Sequence, residues 1–363
     1  MDQQGQNGLM STFREGWRTR NVTAIALGVV LFAFYVVLYF TEHLTPLANA
    51  VGLRNKWFLY GLVYTFVMGG GAVYYLRRHG NSAYNRKRIG VNLLVQVLLA
   101  FTLPLVMPYF YTADVNEMWK YEASSYLWPL AWYDLHPGTL ESKLPAIAAW
   151  SLAGSFILAP IMAIRFGKRW YCSWVCGCGG LANTFGDPWR HLTASSKKSW
   201  KFEKYAVHTV LVLAFLSTGL LVFDHYVGES AAWISGGDWW SVKALYGLVV
   251  GSILSGVIGT AVYPVFGPRV WCRNFCPMAA MLGLLQKLGR FRIKVKKDMC
   301  ISCGNCTTYC EMGIDVRDYA QKNESFTRAS CVGCGMCAHV CPRGVLKLEN
   351  APKAKKTSLP IIS

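Results

Sequence analysis

Two runs of four cysteines near the C-terminus constrain this 363-residue chain more than any other feature. Cys300, Cys303, Cys306 and Cys310 form one C-x2-C-x2-C-x3-C run; Cys331, Cys334, Cys337 and Cys341 form a second, closed by Pro342. Three thiolates on one tight loop cap a cubane, while the fourth is held away and reaches another; this is the ligand pattern of paired [4Fe–4S] clusters. The expected assignment is crossed: Cys300, Cys303, Cys306 and Cys341 on one cluster, and Cys331, Cys334, Cys337 and Cys310 on the other. Structural zinc fits poorly, because its sites are built from separate C-x-x-C-like pairs rather than from an unbroken run of four, twice over.

Most of the remaining chain is lipid-soluble. Hydrophobic residues make up 53% and charged residues only 15%, with a mean hydropathy of +0.27, the composition of a membrane protein. Six stretches, near 22–40, 57–76, 90–111, 146–166, 206–225 and 243–265, are long and apolar enough to cross a hydrocarbon core of roughly 30 Å. The first exceeds a signal-peptide h-region of about 7–15 residues and no small-x-small cleavage site follows Tyr39 and Phe40, so it reads as a retained helix. Lys and Arg alternate between connections. Arg14, Arg18 and Arg20, then Arg77, Arg78, Arg86, Lys87 and Arg88, then Lys168 to Lys204, then Arg269 to Lys297 mark one side. Asp114, Glu117, Glu122, Asp134, Glu141, Glu229 and Asp238 mark the other. The positive-inside rule then predicts a multi-pass protein of a bacterial cytoplasmic (inner) membrane, with both termini and the cluster domain cytoplasmic, where thiols stay reduced. The expected plan is a cytoplasmic N-terminal segment at 1–21, a six-helix membrane domain at 22–289, an α+β two-cluster domain at 290–350 and a basic tail at 351–363. The fold class is mainly α.

Net charge is +18. It follows membrane sidedness and fits contact with anionic lipid, and no groove-reading or RNA-binding signature accompanies it, so no nucleic-acid partner is expected. No Walker A loop or G-x-G-x-x-G after a strand supports ATP or NAD. No C-x-x-C-H supports c-type haem.

The other five cysteines are ordered too. Arg169-Trp170-Tyr171-Cys172-Ser173-Trp174-Val175-Cys176 follows the fourth span, and Arg269-Val270-Trp271-Cys272-Arg273-Asn274-Phe275-Cys276 follows the sixth. Both read R-x2-C-x3-C, 100 residues apart, which suggests a duplicated hairpin. The i, i+4 spacing predicts both sulfurs of a pair on one helical face. Two such faces gather four thiols for an iron–sulfur cluster, a single metal or redox-active dithiols; buried apolar cysteine is the bland alternative. Cys178 stands as a fifth, substitutable ligand.

A membrane domain with two C-x3-C motifs, followed by a two-cubane ferredoxin, resembles the NapH/NosR/CcoG-type family over roughly residues 85–350. The resemblance implies electron transfer between a quinone or quinol pool and a redox partner, with bond-breaking chemistry on another subunit. Its alternative is a copper or iron reductase, or an assembly factor for a respiratory metalloenzyme. The family's C-x3-C-P form is kept at Cys276-Pro277, whereas Cys176 is followed by Gly177-Cys178-Gly179-Gly180. Glu311 stands where proline is usual. Ser217-Thr218-Gly219-Leu220 departs from S/T-G-A-T, so no FMN is expected.

Smaller features receive structural expectations. Gly247, Gly251, Ser255 and Gly259 recur every fourth residue, the spacing of a close-packing face. Pro104, Pro108, Pro160 and Pro264 are candidate bends. His208, His225, His43 and His136 read as interfacial rather than haem-ligating, and Asp224 as solvated helix-end charge rather than a proton carrier. Trp119, Tyr121, Tyr126, Trp128, Trp132, Tyr133, Trp233, Trp239 and Trp240 read as an interface belt.

Overall fold

The computed structural model describes residues 22–53, 55–103, 127–130, 145–227, 232–235 and 240–351, with isolated positions between 103 and 145. The N-terminal arginines, the outer-loop acids, His136, most outer-loop aromatics, Trp239 and the tail beyond Ala351 lie outside the described residues.

Among the described residues, four helices are long and apolar enough to cross a membrane: Lys56–His79, Pro145–Phe166, Lys197–Val227 and Val242–Ala261. They coincide with the second, fourth, fifth and sixth spans read from sequence. Helix α1 (Val22–Phe40) bends by 88° into α2 (Leu44–Ala50). Helix α3 is Lys56–His79. Helix α4 (Ala83–Val95) runs on as a π-helical stretch, Gln96–Thr102, so the third span is described only in its first part. Helix α5 is Pro145–Phe166, followed by the short α6 (Arg169–Cys172) and α7 (Gly177–Asn183). Helices α8 (Lys197–Val227) and α9 (Val242–Ala261) precede another short pair, α10 (Val270–Asn274) and α11 (Pro277–Leu288).

The sixth span corrects the small-residue stripe. Helix α9 is π-helical over Gly247–Ile258, which lengthens the turn and rotates a four-residue repeat off one face. Gly251 consequently faces open space, while close approaches fall at Gly259, where a Cβ would lie 3.0 Å from the Trp271 side chain, and at Gly256, outside the stripe, where it would come within 2.3 Å of the Tyr39 ring. Two other expectations shift. Trp128 is buried rather than part of a belt, its Nε1 donating to Thr218 Oγ1 at 3.0 Å. Asp224 is likewise buried, not solvated. Trp233 and Trp240 are exposed, as expected of lipid-facing aromatics.

The C-terminal domain is a two-stranded antiparallel sheet carrying two cysteine loops. Strand β1 (Phe291–Val295) pairs with β2 (Leu346–Asn350) in the register Phe291↔Asn350 to Val295↔Leu346. Phe291, Ile293 and Val295 point inward, while Arg292 and Lys294 both pair with Glu349 outside, the period-two pattern of a half-buried strand. Short helices α12 (Asn305–Thr308), α13 (Val316–Gln321) and α14 (Met336–His339) complete it. The two loops are copies. Ser302 and Gly333 have φ of 57° and 58°, Gly304 and Gly335 81° and 80°, Gly313 and Gly344 61° and 59°.

Candidate functional site

Each cysteine loop closes on its own cavity. One is lined by Cys300, Cys303, Cys306 and Cys341, the other by Cys310, Cys331, Cys334 and Cys337. Those are the two crossed sets expected from the spacing. Backbone N–H groups point at sulfur: Val345 N lies 3.4 Å from Cys341 Sγ, and Ile314 and Met312 donate to Cys310. Donors so placed favour the thiolate and tune a bound cluster. Burial pushes the Cys306 thiol up to about 11, so these sulfurs carry charge most readily when a cationic group shares them. Four sulfurs on each of two buried cavities, with inward N–H donors, suit a cubane apiece.

The membrane-domain cysteines form a second, equally duplicated arrangement. After α5 and after α9 the chain passes through a left-handed glycine, Gly167 (φ 77°) or Gly267 (φ 91°). It then makes a short helix ending near the first cysteine, and restarts with the second cysteine as N-cap. Cys176 N donates to Tyr171 O at 2.7 Å, and Cys276 N to Trp271 O at 3.0 Å. The expectation of one helical face per pair is therefore corrected: the helix ends between the two cysteines. Pro277, at the first position of α11, has no N–H to continue the previous helix.

Cys172, Cys176, Cys272 and Cys276 are all buried in one core, close enough that each thiol feels the charge of others in the set. Cys178 is half-buried beside them and hydrogen-bonds Cys176. Irregular backbone in a membrane domain must be satisfied by protein, and α3 and α4 do this. Asn92 Nδ2 donates to Cys176 O at 3.3 Å, Gln96 Nε2 to Val175 O at 2.6 Å, and Tyr64 Oη to Gly177 O at 2.8 Å. The turn is tight. A Cβ on Gly179 would lie 1.9 Å from Cys172 O, so Gly179→Ala is expected to destabilise the protein by about 1–3 kcal/mol or more. The check is the denaturation midpoint in detergent; an unchanged midpoint would show that the two loops can part freely.

The two cysteine assemblies abut. Ser173, next to Cys172, donates its hydroxyl to Val332 O, next to Cys331, at 2.7 Å. Tyr84 donates to Gly333 O at 2.7 Å, and Gln286 to Arg328 O and Cys331 O at 2.9 and 3.0 Å. The set containing Cys331 therefore faces the membrane thiols, and the set containing Cys300 lies beyond it. Between them sits Glu311, fully buried, with Arg190 Nη1 at 2.6 Å and Arg269 Nη2 at 3.0 Å. Burial raises its pKa, but Arg190 and Arg269 more than offset this and hold the carboxyl below its usual range. Arg269 also donates to Cys172 O at 3.1 Å and lies 3.7 Å from Cys272 Sγ. The sequence signals for this clamp were Arg269, which opens the second R-x2-C-x3-C motif, and the acid replacing proline; neither revealed that they meet, and nothing in sequence marked Arg190.

Among the described residues no three His, Cys, Asp or Glu side chains converge closely enough to hold a single metal ion. A separate cavity of about 290 Å³ opens among the helices, lined by Tyr35, Tyr39, Tyr60, Tyr64, Tyr246 and Cys178.

Comparison with known proteins bears on both assemblies. The 4Fe-4S dicluster domain family matches residues 293–348, and a 4Fe-4S binding domain family matches 148–197 and 249–296, the two membrane repeats. YccM of Escherichia coli is 27% identical over 187 residues, 49% of this chain and 50% of its own length. The methylamine utilization ferredoxin-type protein MauN of Methylobacillus flagellatus is 23% identical over 240 residues, covering 62% of this chain and 77% of MauN. The ferredoxin-type protein NapH of Escherichia coli is 24% identical over 179 residues, covering 47% and 58%. The chain thus spans about half the length of YccM and somewhat more of NapH. No solved structure matches. With membrane-length helices, a dicluster domain match and ferredoxin-type relatives in agreement, the chain is similar to ferredoxin-type membrane proteins such as NapH and MauN.

Proposed function

We propose that this protein passes electrons between a quinone held among its membrane helices and a redox partner that meets the ferredoxin domain. The observation that carries this reading is the order of sites: tyrosine-lined cavity, four membrane thiols, the Cys331 set, the Cys300 set. Cys178 lines the cavity while bonding Cys176, and Ser173–Val332 joins the next pair of loops. Cys172, Cys176, Cys272 and Cys276 would hold a third cluster. One observation favours this over a single ion: the 4Fe-4S binding domain family matches around both motifs. Cys178 then belongs to the cavity wall rather than to the ligand set.

When bound, cubanes accept and release electrons one at a time; the rest is the protein's work. Tyr35 and Tyr60, whose hydroxyls lie 3.4 Å apart, offer donors to a quinone carbonyl inside an apolar wall. Arg269 places a fixed positive charge against the membrane thiols and so favours added negative charge there. The six-span topology, with the ferredoxin domain on the cytoplasmic side, belongs to the same proposal and rests on the Lys and Arg asymmetry.

The test is anaerobic reduction of the clusters by a short-chain quinol, followed by visible bleaching. Gly251 lines the cavity with nothing near its Cβ position, so Gly251→Phe fills the space without a backbone clash. The variant should keep its iron and lose quinol-driven bleaching at least about tenfold, the loss of roughly 1.4 kcal/mol of binding or more. Wild-type rates in Gly251→Phe, with iron intact, would remove the quinone from this cavity.

A further inference from the structure

A second large cavity, of about 440 Å³, lies where the membrane domain meets the ferredoxin domain. Its wall carries Lys168, Lys204, Arg273, Lys287 and Arg328 against one carboxylate, Glu203. That carboxylate is already paired, with Arg273 Nε at 2.8 Å. The wall is therefore strongly cationic, with His208 adding a further ring nitrogen. Its lining also includes Cys272 of the membrane thiols.

Its depth in the membrane follows from helix length. Helix α8 has 31 residues, about 46 Å at 1.5 Å per residue, against a hydrocarbon core of roughly 30 Å. Its first turns, with Lys197, Lys198, Lys201 and Lys204, therefore stand at headgroup level on the side where the ferredoxin domain docks. Apolar surface continues from the mouth of the cavity: Leu284 on the wall and Leu288 one turn further along α11 are 40% and 73% exposed, and Phe202 and Tyr205 on α8 are exposed as well. Cations and exposed hydrocarbon thus lie side by side around one cavity, the two chemistries a single phospholipid carries.

We infer that this cavity is a binding site for one anionic phospholipid, its phosphate among Lys204, Lys287 and Arg328 and its acyl chains along Leu284 and Leu288. The phosphate bridges three elements: α8, α11 and the Thr327–Ser330 loop that leads into Cys331. Arg328 is held ready on that loop, its guanidinium stacked over Trp200 at 5.1 Å and donating to Tyr319 Oη at 3.0 Å. The lipid would thus fasten the cluster loop to the membrane surface.

The test uses the full chain with its iron in place. Wild type, Lys204→Gln/Lys287→Gln and Lys197→Gln/Lys198→Gln are each loaded in nanodiscs of phosphatidylcholine with phosphatidylglycerol. They are then exchanged into detergent, and retained lipid is counted by native mass spectrometry. Wild type and Lys197→Gln/Lys198→Gln should keep about one phosphatidylglycerol per chain, and Lys204→Gln/Lys287→Gln should lose at least about tenfold, given the usual contribution of each lysine at an anionic surface. Equal retention of phosphatidylcholine by wild type, or equal loss in both double variants, overturns the site. Release of the lipid by millimolar inorganic phosphate also overturns it, assigning the cavity to a free anion. Iron content checks folding, and if the Lys204 and Lys287 variant loses iron, wild-type discrimination between the two lipids decides alone.

Discussion

Anaerobically purified protein should contain about twelve irons per chain, and Cys172→Ala/Cys272→Ala about eight. The pair is chosen because each residue comes from a different repeat, so the change removes half of the four-thiol set while leaving Cys176 and Cys276 as helix caps. Both side chains are buried in the membrane-domain core, and neither lines the cavities of the ferredoxin loops. Acid-labile sulfide should fall in step with iron. Cys178→Ala should keep all twelve, since its thiol faces the tyrosine-lined cavity. About eight irons in wild type and variant alike would reduce the membrane thiols to a single-metal site or a dithiol switch. Copper bound by the wild type alone would then put metal reduction ahead of quinone chemistry.

Glu311→Ala should be the most damaging single substitution outside the cysteines. It leaves Arg190 and Arg269 buried at 1% exposure each with a principal counter-charge gone. Breaking a buried pair from one side costs about 3–5 kcal/mol, because the remaining charge is stranded away from water. Arg190 keeps Asp187 at 2.6 Å, whereas Arg269 keeps a carbonyl and a thiol, so the cost concentrates where the ferredoxin domain meets the membrane thiols. Limited proteolysis should cut the connection between Leu288 and Phe291 faster in the variant. Glu311→Gln, which keeps the shape but not the charge, should show most of the same effect; a silent Glu311→Gln would mean that shape alone makes the contact.

Both effects depend on features that were unequally visible in sequence. The grouping of the eight C-terminal cysteines around two cavities was legible, because cluster ligation demands thiols at fixed spacing on tight loops and leaves little freedom in how they group. The membrane repeat was legible through its period, as were the second, fourth, fifth and sixth spans through their hydropathy. What escaped depends on pairing across the fold. Arg190, Asn92, Gln96 and Tyr84 are unremarkable polar residues in sequence, and their partners Glu311, Cys176, Val175 and Gly333 lie between 79 and 249 positions away. The C-x3-C spacing misled in a specific way: i, i+4 on an unbroken helix puts sulfurs on one face, but Pro277 and the glycines after Cys176 end the helix between them. The small residues of α9 misled similarly, since a π-helix changes the period on which the stripe was read.

The duplicated repeats also fix when this protein can be finished. Cys272 lies 100 residues after Cys172, so at about 5–20 residues per second of synthesis the first half-site exists alone for roughly 5–20 s. During that interval it is a bare dithiol beside the membrane, open to stray oxidation or a stray ion. Nothing with four sulfur ligands can settle there until Cys276 has emerged, and Glu311 arrives later still. A cluster held by these four thiols, as proposed, could thus be loaded only in the last part of biogenesis, and a ribosome stalled between the repeats would leave a nascent chain that no amount of iron supply can mature.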